Sequence, residues 1–316
     1  MAEGDAADDA VAQASKRTQS RRELARHDRF EQVSPEVGEI DDAAVEEGLR
    51  DDPDETLALL ADLTGATDPK LRELARRLAG QLFLDLAKRG PARPRGVGKL
   101  ASLPYRPGVG ELDLDASLEP IVEARGAAAA VDPERLRVRT WVKPGTALCL
   151  LVDRSGSMGG KPLATSAVAA AAVAWRQPGD YSVVAFGKDV VVAKSQDVPK
   201  DPGRVVTDVL ALRGFGTTDV AGALEVARGQ LARSRAGRKI AVLLSDCRAT
   251  MPGDVAAMAR ALDELAIIAP EGDADEARAL AADLGARMTT VRGPSEVVEA
   301  LRRVLDDGGP VPRLSS

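Results

Sequence analysis

Residues 147–159 carry the sequence ALCLLVDRSGSMG, in which six apolar residues run directly into a polar, glycine-containing loop. A continuous apolar run of this length is typical of a strand that is buried on both faces of a parallel sheet. In open sheets of this kind, ligands bind beyond the carboxyl ends of the strands. The stretch therefore predicts a central strand that delivers Asp153, Ser155 and Ser157 to a binding edge.

The residues that follow alternate between helix and strand patterns. Their periodicity predicts helices over residues 163–175, 202–212, 220–233, 255–265, 274–284 and 296–305. It predicts strands over residues 181–186, 190–194, 239–245, 266–269 and 287–291. Such alternation is typical of the α/β class, so we predict a doubly wound, mostly parallel six-stranded sheet with helices on both faces.

The first 90 residues have a different pattern. Residues 1–35 are charged without a sustained period, which predicts a disordered tail that runs into a short helix. Residues 36–90 predict a small N-terminal helical unit, because leucines recur at three- and four-residue spacing and Asp68-Pro69 is a typical helix start. The leucines form either the core of this unit, which we favour, or a face that docks on the next domain.

Proline and glycine mark the remaining boundaries of the chain. The proline, glycine and basic residues over 91–143 indicate a basic, irregular connector, which ends in a lead-in strand over residues 136–142. Residues 144–307 hold the alternating pattern and predict the main domain, and residues 308–316 predict a tail. We therefore expect two folded parts joined by an irregular strap.

Composition excludes several classes of function. The chain has 316 residues, of which 44% are apolar and 29% charged, as expected for a folded protein with a core. A net charge of −6 and an aromatic content of 3% argue against nucleic-acid binding. The single histidine, His27, argues against zinc sites with several imidazoles and against Ser-His-Asp catalysis. With no signal peptide and no long apolar run, we expect a cytoplasmic protein that does not bind membranes.

Two further oxygen-bearing residues stand at ends of predicted elements. Asp246 follows the predicted strand 239–245, and Thr218 precedes the predicted helix 220–233. Because neighbouring strands end at one edge, we expect Asp153 and Asp246 to flank the same crevice. Singly, the hydroxyls also fit helix caps and Asp246 fits a turn. Together, and without nitrogen or sulfur, the set fits Mg²⁺, with Mn²⁺ or Ca²⁺ as alternatives. The predicted metal ligands are Asp153, Ser155, Ser157, Thr218 and Asp246.

This arrangement resembles the von Willebrand factor A (VWA) domain and its metal-ion-dependent adhesion site. The family pattern is D-x-S-x-S after the first strand, a threonine in a Gly-Gly-Thr-like loop, and an aspartate after the fourth strand. The matching positions here are Asp153, Ser155, Ser157, Thr218 and Asp246. Thr217 and Cys247 stand where the family usually has glycine. The resemblance implies a bound metal with one open position that accepts an acidic side chain of a partner protein.

Within the family, the chain is similar to the bacterial CoxE-like branch, on the basis of its helical N-terminal region and the segment Glu111–Leu114. That resemblance implies a partner of the MoxR type of AAA+ ATPase and a client protein undergoing assembly or metal or cofactor maturation. The implied role is that of an adaptor without catalytic activity. The nearby Gly160-Lys161 is not part of a Walker A motif, because Pro162 follows the lysine.

Two other hypotheses remain open at this stage. One is a subunit of a multi-chain, magnesium-chelatase-like enzyme that inserts a metal; the short N-terminal unit and the basic connector argue against it. The other is a site in which Arg154 or Arg248 occupies the metal pocket, so that partner binding does not need a metal.

Overall fold

The computed structural model describes residues 1–89, 99–105, 111–126, 131–142, 145–154, 160–212 and 216–306. The chain divides into two compact units, one made of Met1–Arg93 together with Thr146–Ser316 and the other of Pro94–Gly145. The helical region over residues 36–90 therefore shares a unit with the main domain, in contrast to the separate part expected from its sequence. The predicted tail over residues 308–316 lies outside the described residues.

The described elements are as follows in chain order. The α-helices are α1 Asp5–Ala14, α2 Arg21–Leu24, α3 Phe30–Val33, α4 Asp42–Asp51, α5 Pro53–Leu63, α6 Pro69–Lys88, α7 Leu114–Gly126, α8 Gly160–Arg176, α9 Pro202–Ala211, α10 Val220–Ala232, α11 Val255–Arg260, α12 Asp275–Leu284 and α13 Val297–Asp306. The strands are β1 Lys99–Pro104, β2 Glu111–Leu112, β3 Arg137–Val142, β4 Thr146–Asp153, β5 Tyr181–Phe186, β6 Val190–Lys194, β7 Arg238–Leu244, β8 Glu264–Pro270 and β9 Arg287–Val291. Short 3-10 helices span Pro133–Arg135 and Pro294–Glu296.

The larger unit is built on a six-stranded sheet with the order β6-β5-β4-β7-β8-β9. Neighbouring strands are parallel except for β6, which returns antiparallel along β5. The predicted doubly wound α/β fold is thus confirmed. One predicted helix, over residues 255–265, is too long: α11 ends at Arg260, and Leu265 pairs with Ala241 as part of β8.

Side chains of the central strand β4 alternate between two cores. Leu148, Leu150 and Val152 belong to a core cluster shared with α8 and α13. The residues between them, such as Cys149 and Leu151, belong to a second cluster shared with α10 and α12. This alternation follows from the two-residue period of a strand and explains why the β4 sequence is apolar throughout.

The N-terminal helices extend the first of these cores. The helical leucines pack with α8 and the strand residues in one cluster, which confirms the docking alternative and makes the favoured interpretation of an independent core wrong. Helix α8 permits this packing because alanines such as Ala167 and Ala171 are fully buried, and small side chains let helices approach closely. The packed residues of α5 and α6 are Leu57, Leu59, Leu60, Ala61, Leu63, Leu71, Ala75, Ala79, Phe83 and Ala87.

About half of residues 1–35 are helical in the structure, as α1, α2 and α3, so the predicted disordered tail is corrected. Their few apolar side chains are buried in the same core, which supplies the stabilisation that the local sequence lacks: Ala7, Val11, Leu24, Phe30 and Val33. Helix α2 also begins with a capping box, in which Ser20 and Glu23 satisfy each other's backbone N–H groups.

The smaller unit is folded, although its sequence predicted an irregular connector. Strand β3 lies between β1 and β2 in a three-stranded antiparallel sheet. Its Arg137 side chain donates to the carbonyl oxygen of Ser102 at 2.7 Å, and the backbone N–H of Arg137 donates to Ser117 Oγ at 2.9 Å. These contacts link β3 to β1 and α7.

In the described part of the chain, no helix combines the length and apolar character needed to cross a membrane.

Candidate metal centre

The ends of β4 and β7 lie side by side at the carboxyl edge of the sheet. Val152 is paired with Leu244, so Asp153 and Ser245 follow at the same level. Ser245 Oγ donates a hydrogen bond of 2.6 Å to Asp153 Oδ2. Asp246 is the next residue along the chain, and the contact therefore brings the loop that carries Asp246 against Asp153.

The turn that carries Asp246 has an unusual backbone. Cys247 has a φ of 66°, a left-handed conformation that a residue other than glycine adopts at a cost of about 1–2 kcal/mol. Its N–H donates to Ser245 Oγ at 2.9 Å, and Asp246 Oδ1 accepts from the N–H of Arg248 at 2.9 Å. These hydrogen bonds hold the turn in place. Burial, reinforced by Asp246 and Asp153, raises the pKa of the Cys247 thiol to about 12, so the thiol stays neutral.

Thr218 lies in a loop that is fastened on both sides. Its N–H donates to Thr250 Oγ1 at 2.7 Å, and its carbonyl oxygen accepts from the N–H of Thr250 at 3.1 Å. The N–H of Asp219 donates to the carbonyl oxygen of Gly187, directly after β5, at 3.0 Å. The side chain of Asp219 caps α10 through the N–H of Gly222 at 2.8 Å. The Thr218 loop is thus joined to Gly187, directly after β5, and to Thr250 in the loop that follows β7.

The structure places three of the five predicted ligands. Asp153 ends β4, Asp246 follows β7 and Thr218 precedes α10, while Ser155 and Ser157 lie outside the described residues. Among the described residues, no group of three or more His, Cys, Asp or Glu side chains is arranged to hold a metal. A metal bound at this edge would use hydroxyl oxygens beside the two carboxylates, and such an all-oxygen donor set suits a hard cation.

Two arginines next to the predicted ligands have partners of their own. Arg154 Nη2 donates to the carbonyl oxygen of Asp189 at 3.0 Å. Arg248 forms ion pairs with Asp273 and Glu276 at the start of α12. These contacts direct both guanidinium groups toward other elements of the fold, which disfavours the hypothesis that either one occupies the metal pocket.

The start of α8, which follows the predicted ligands Ser155 and Ser157 in the sequence, is held by a contact with the N-terminal helices that the sequence did not reveal. Gly160, the first residue of α8, donates its N–H to Asp62 Oδ2 at 2.9 Å and has a φ of 57°, which favours glycine. The same Asp62 oxygen lies 3.0 Å from His27 Nε2, and His27 Nδ1 lies 2.7 Å from Glu55 Oε1. These residues come from the segment between α2 and α3, from α5 and from the start of α8, so only the fold brings them together and no sequence motif signals the contact.

The position of His27 between two carboxylates predicts a pH dependence of stability. Both ring nitrogens donate only when the imidazole is protonated. The hydrogen bond to Asp62, together with Glu55 and against the effect of burial, raises the pKa of His27 above its usual 6.5. Protonated His27 therefore contributes stability that is complete below about pH 6.5 and is lost as the pH rises through the raised pKa.

We expect the difference in unfolding free energy between the parent protein and His27→Gln to be largest near pH 6 and to shrink toward pH 9. Urea denaturation at pH values between 6 and 9 measures this difference. A difference that stays constant across the range would contradict the assignment of a protonated His27 in this cluster.

Comparison with known proteins identifies a family that matches this chain. The model of the family described as VWA domain containing CoxE-like protein matches residues 93–302, which include the smaller unit and all six strands of the main sheet. No curated protein matches the chain.

Several solved structures are similar in fold. Manganese-loaded TRAP protein of Plasmodium vivax is 18% identical, with 52% of this chain and 74% of that chain covered and a TM-score of 0.41. A von Willebrand factor type A structure from Catenulispora acidiphila is 19% identical, with 53% and 43% covered and a TM-score of 0.39. BatB from Bacteroides thetaiotaomicron is 12% identical, with 51% and 97% covered and a TM-score of 0.39.

Proposed function

Because the chain belongs to the family of VWA domain containing CoxE-like proteins, we propose that it is a protein-binding adaptor that holds Mg²⁺ at the carboxyl edge of its sheet. The proposed ligands are Asp153, Ser155, Ser157, Thr218 and Asp246. The observation that carries this proposal is the 2.6 Å hydrogen bond from Ser245 to Asp153, since it brings the ends of β4 and β7 together.

The proposed donor set explains how the site would capture a partner. Two carboxylates balance the charge of a divalent cation, and the hydroxyl ligands are neutral. Mg²⁺ favours about six oxygen ligands and usually keeps several waters. One of these waters can therefore be replaced by a carboxylate of a partner protein. Mn²⁺ and Ca²⁺ accept the same oxygen donors and are the alternative ions.

The family resemblance supports a more specific role. We propose that the partner is a MoxR-type AAA+ ATPase and that the adaptor links it to a client protein during assembly or cofactor and metal maturation. In this role the chain binds and positions other proteins, and the ATPase supplies the energy of hydrolysis.

Asp153→Asn tests the metal site while keeping an oxygen that accepts from Ser245. We expect isothermal titration with MgCl₂ to show a loss of affinity of more than about tenfold, the lower bound for residues that merely support a metal ligand. Asp273→Asn is the matched control, because Asp273 lies at the same edge and pairs with Arg248. Equal Mg²⁺ affinity in Asp153→Asn and the parent protein would refute the proposed site.

A further inference from the structure

A cavity of about 600 Å³ lies beside the candidate metal centre, between α1 and the turn that joins β5 to β6. Its wall on the N-terminal side is held in place by Ala2, whose N–H donates to the carbonyl oxygen of Val190 at 2.8 Å and whose carbonyl oxygen accepts from Val192 at 2.9 Å. A volume of this size is typical of sites for small molecules.

The charged side chains that line this cavity are mostly positive. Arg17 lies three residues after the end of α1, Arg154 follows β4, and Lys188 lies in the β5–β6 turn. Asp189 is the one acidic side chain in the described lining, and it is exposed to solvent. The cavity therefore carries an excess of positive charge in a protein whose overall charge is negative.

Arg154 is the member of this group with incomplete bonding. Its Nη2 donates to a backbone carbonyl oxygen, whereas its Nε is buried and, among the described residues, has no hydrogen-bond acceptor. A buried N–H without an acceptor costs about 1–3 kcal/mol, and more on a charged group. An incoming anion would remove this penalty.

We propose that this cavity is a binding site for a small oxyanion-bearing ligand, a phosphate or a dicarboxylate, held by Arg154 and Arg17 with Lys188 at the rim. Guanidinium groups bind such oxygens through paired, charge-assisted hydrogen bonds. Two arginines facing one cavity favour a dianion over a monoanion, because a dianion offsets the repulsion between them. The site needs no metal ion, and so it is independent of the proposed adaptor function.

Thermal unfolding of the full chain in EDTA tests the proposal with inorganic phosphate and with succinate as separate probes. We expect one probe to raise Tm more than sodium chloride of equal ionic strength does. The more effective probe shows whether the site prefers a phosphate or a dicarboxylate. Titration calorimetry with that probe then gives the affinity.

Arg17→Gln and Lys188→Gln are the test variants, and Arg22→Gln, an exposed arginine of α2 outside the cavity, is the control. We expect Arg17→Gln to weaken binding of the effective probe by about tenfold or more, as loss of a charge-assisted hydrogen bond does. Lys188→Gln should weaken it less, because Lys188 is exposed. The proposal is overturned if neither probe exceeds chloride, or if Arg22→Gln weakens binding as much as Arg17→Gln does.

Discussion

Replacing Phe30 by alanine is expected to lower the free energy of unfolding by about 3–5 kcal/mol, the usual cost of removing a buried aromatic ring from a core. Phe30 is fully buried and lies in the core cluster that also contains residues of β4 and α8. Its ring is also 4.7 Å from the guanidinium carbon of Arg21. Urea denaturation followed by circular dichroism at fixed pH measures the change.

Val37→Ala is the matched control for this variant, because Val37 lies a few residues away and is 69% exposed. It should change stability by no more than about 0.5 kcal/mol. If Phe30→Ala were as mild as Val37→Ala, residues 1–35 would behave as the disordered tail that their composition suggests, and their place in the core would be refuted.

Replacing Asp62 by alanine is expected to destabilise the protein by about 3 kcal/mol, because it removes one member of a buried charged pair and with it the acceptor of His27 Nε2 and of the Gly160 N–H. Asp62 is buried and lies within hydrogen-bond distance of His27 Nε2 and of the N–H of Gly160. Its other oxygen accepts from Gln19 at 3.3 Å. The loss should be seen as a lower urea midpoint at pH 6, where His27 is protonated.

A second measurement separates the local effect of Asp62 from its effect on overall stability. Hydrogen exchange at the Gly160 amide should be faster in Asp62→Ala than in Asp28→Ala, whose exposed carboxylate is next to His27 in sequence. We expect Asp28→Ala to keep the parent stability within about 0.5 kcal/mol. Slow exchange at Gly160 in Asp62→Ala would mean that the N-terminal helices do not secure the start of α8.

The sequence predicted the main sheet well where the signal is local. The apolar run at residues 147–152 becomes the centre of β4, and the alternation downstream identifies each later strand of the sheet. The error at residues 255–265 has a physical cause: Met258, Leu262 and Leu265 repeat at helical spacing. Pairing of Leu265 with β7 overrides that local pattern.

For the candidate site, sequence reasoning identified residues at the ends of β4 and β7 but missed the groups that hold them. Asp153 and Asp246 are recognisable because acidic residues follow apolar strands. Ser245 and Thr250 gave no separate signal, since a serine before an aspartate and a threonine in a loop are common. Their roles depend on which loops meet in space.

The sequence alone defines this protein as an α/β chain with oxygen-bearing residues at one edge of the sheet. It can do so because strand periodicity and apolar runs are properties of neighbouring residues. Only the tertiary structure decides that the N-terminal helices share a core with α8. Only the tertiary structure brings Asp62 to Gly160, which is 98 positions away, and Arg17 to the cavity of Arg154. These contacts form because segments far apart in the sequence pack together, and the pattern of neighbouring residues does not show which segments will do so.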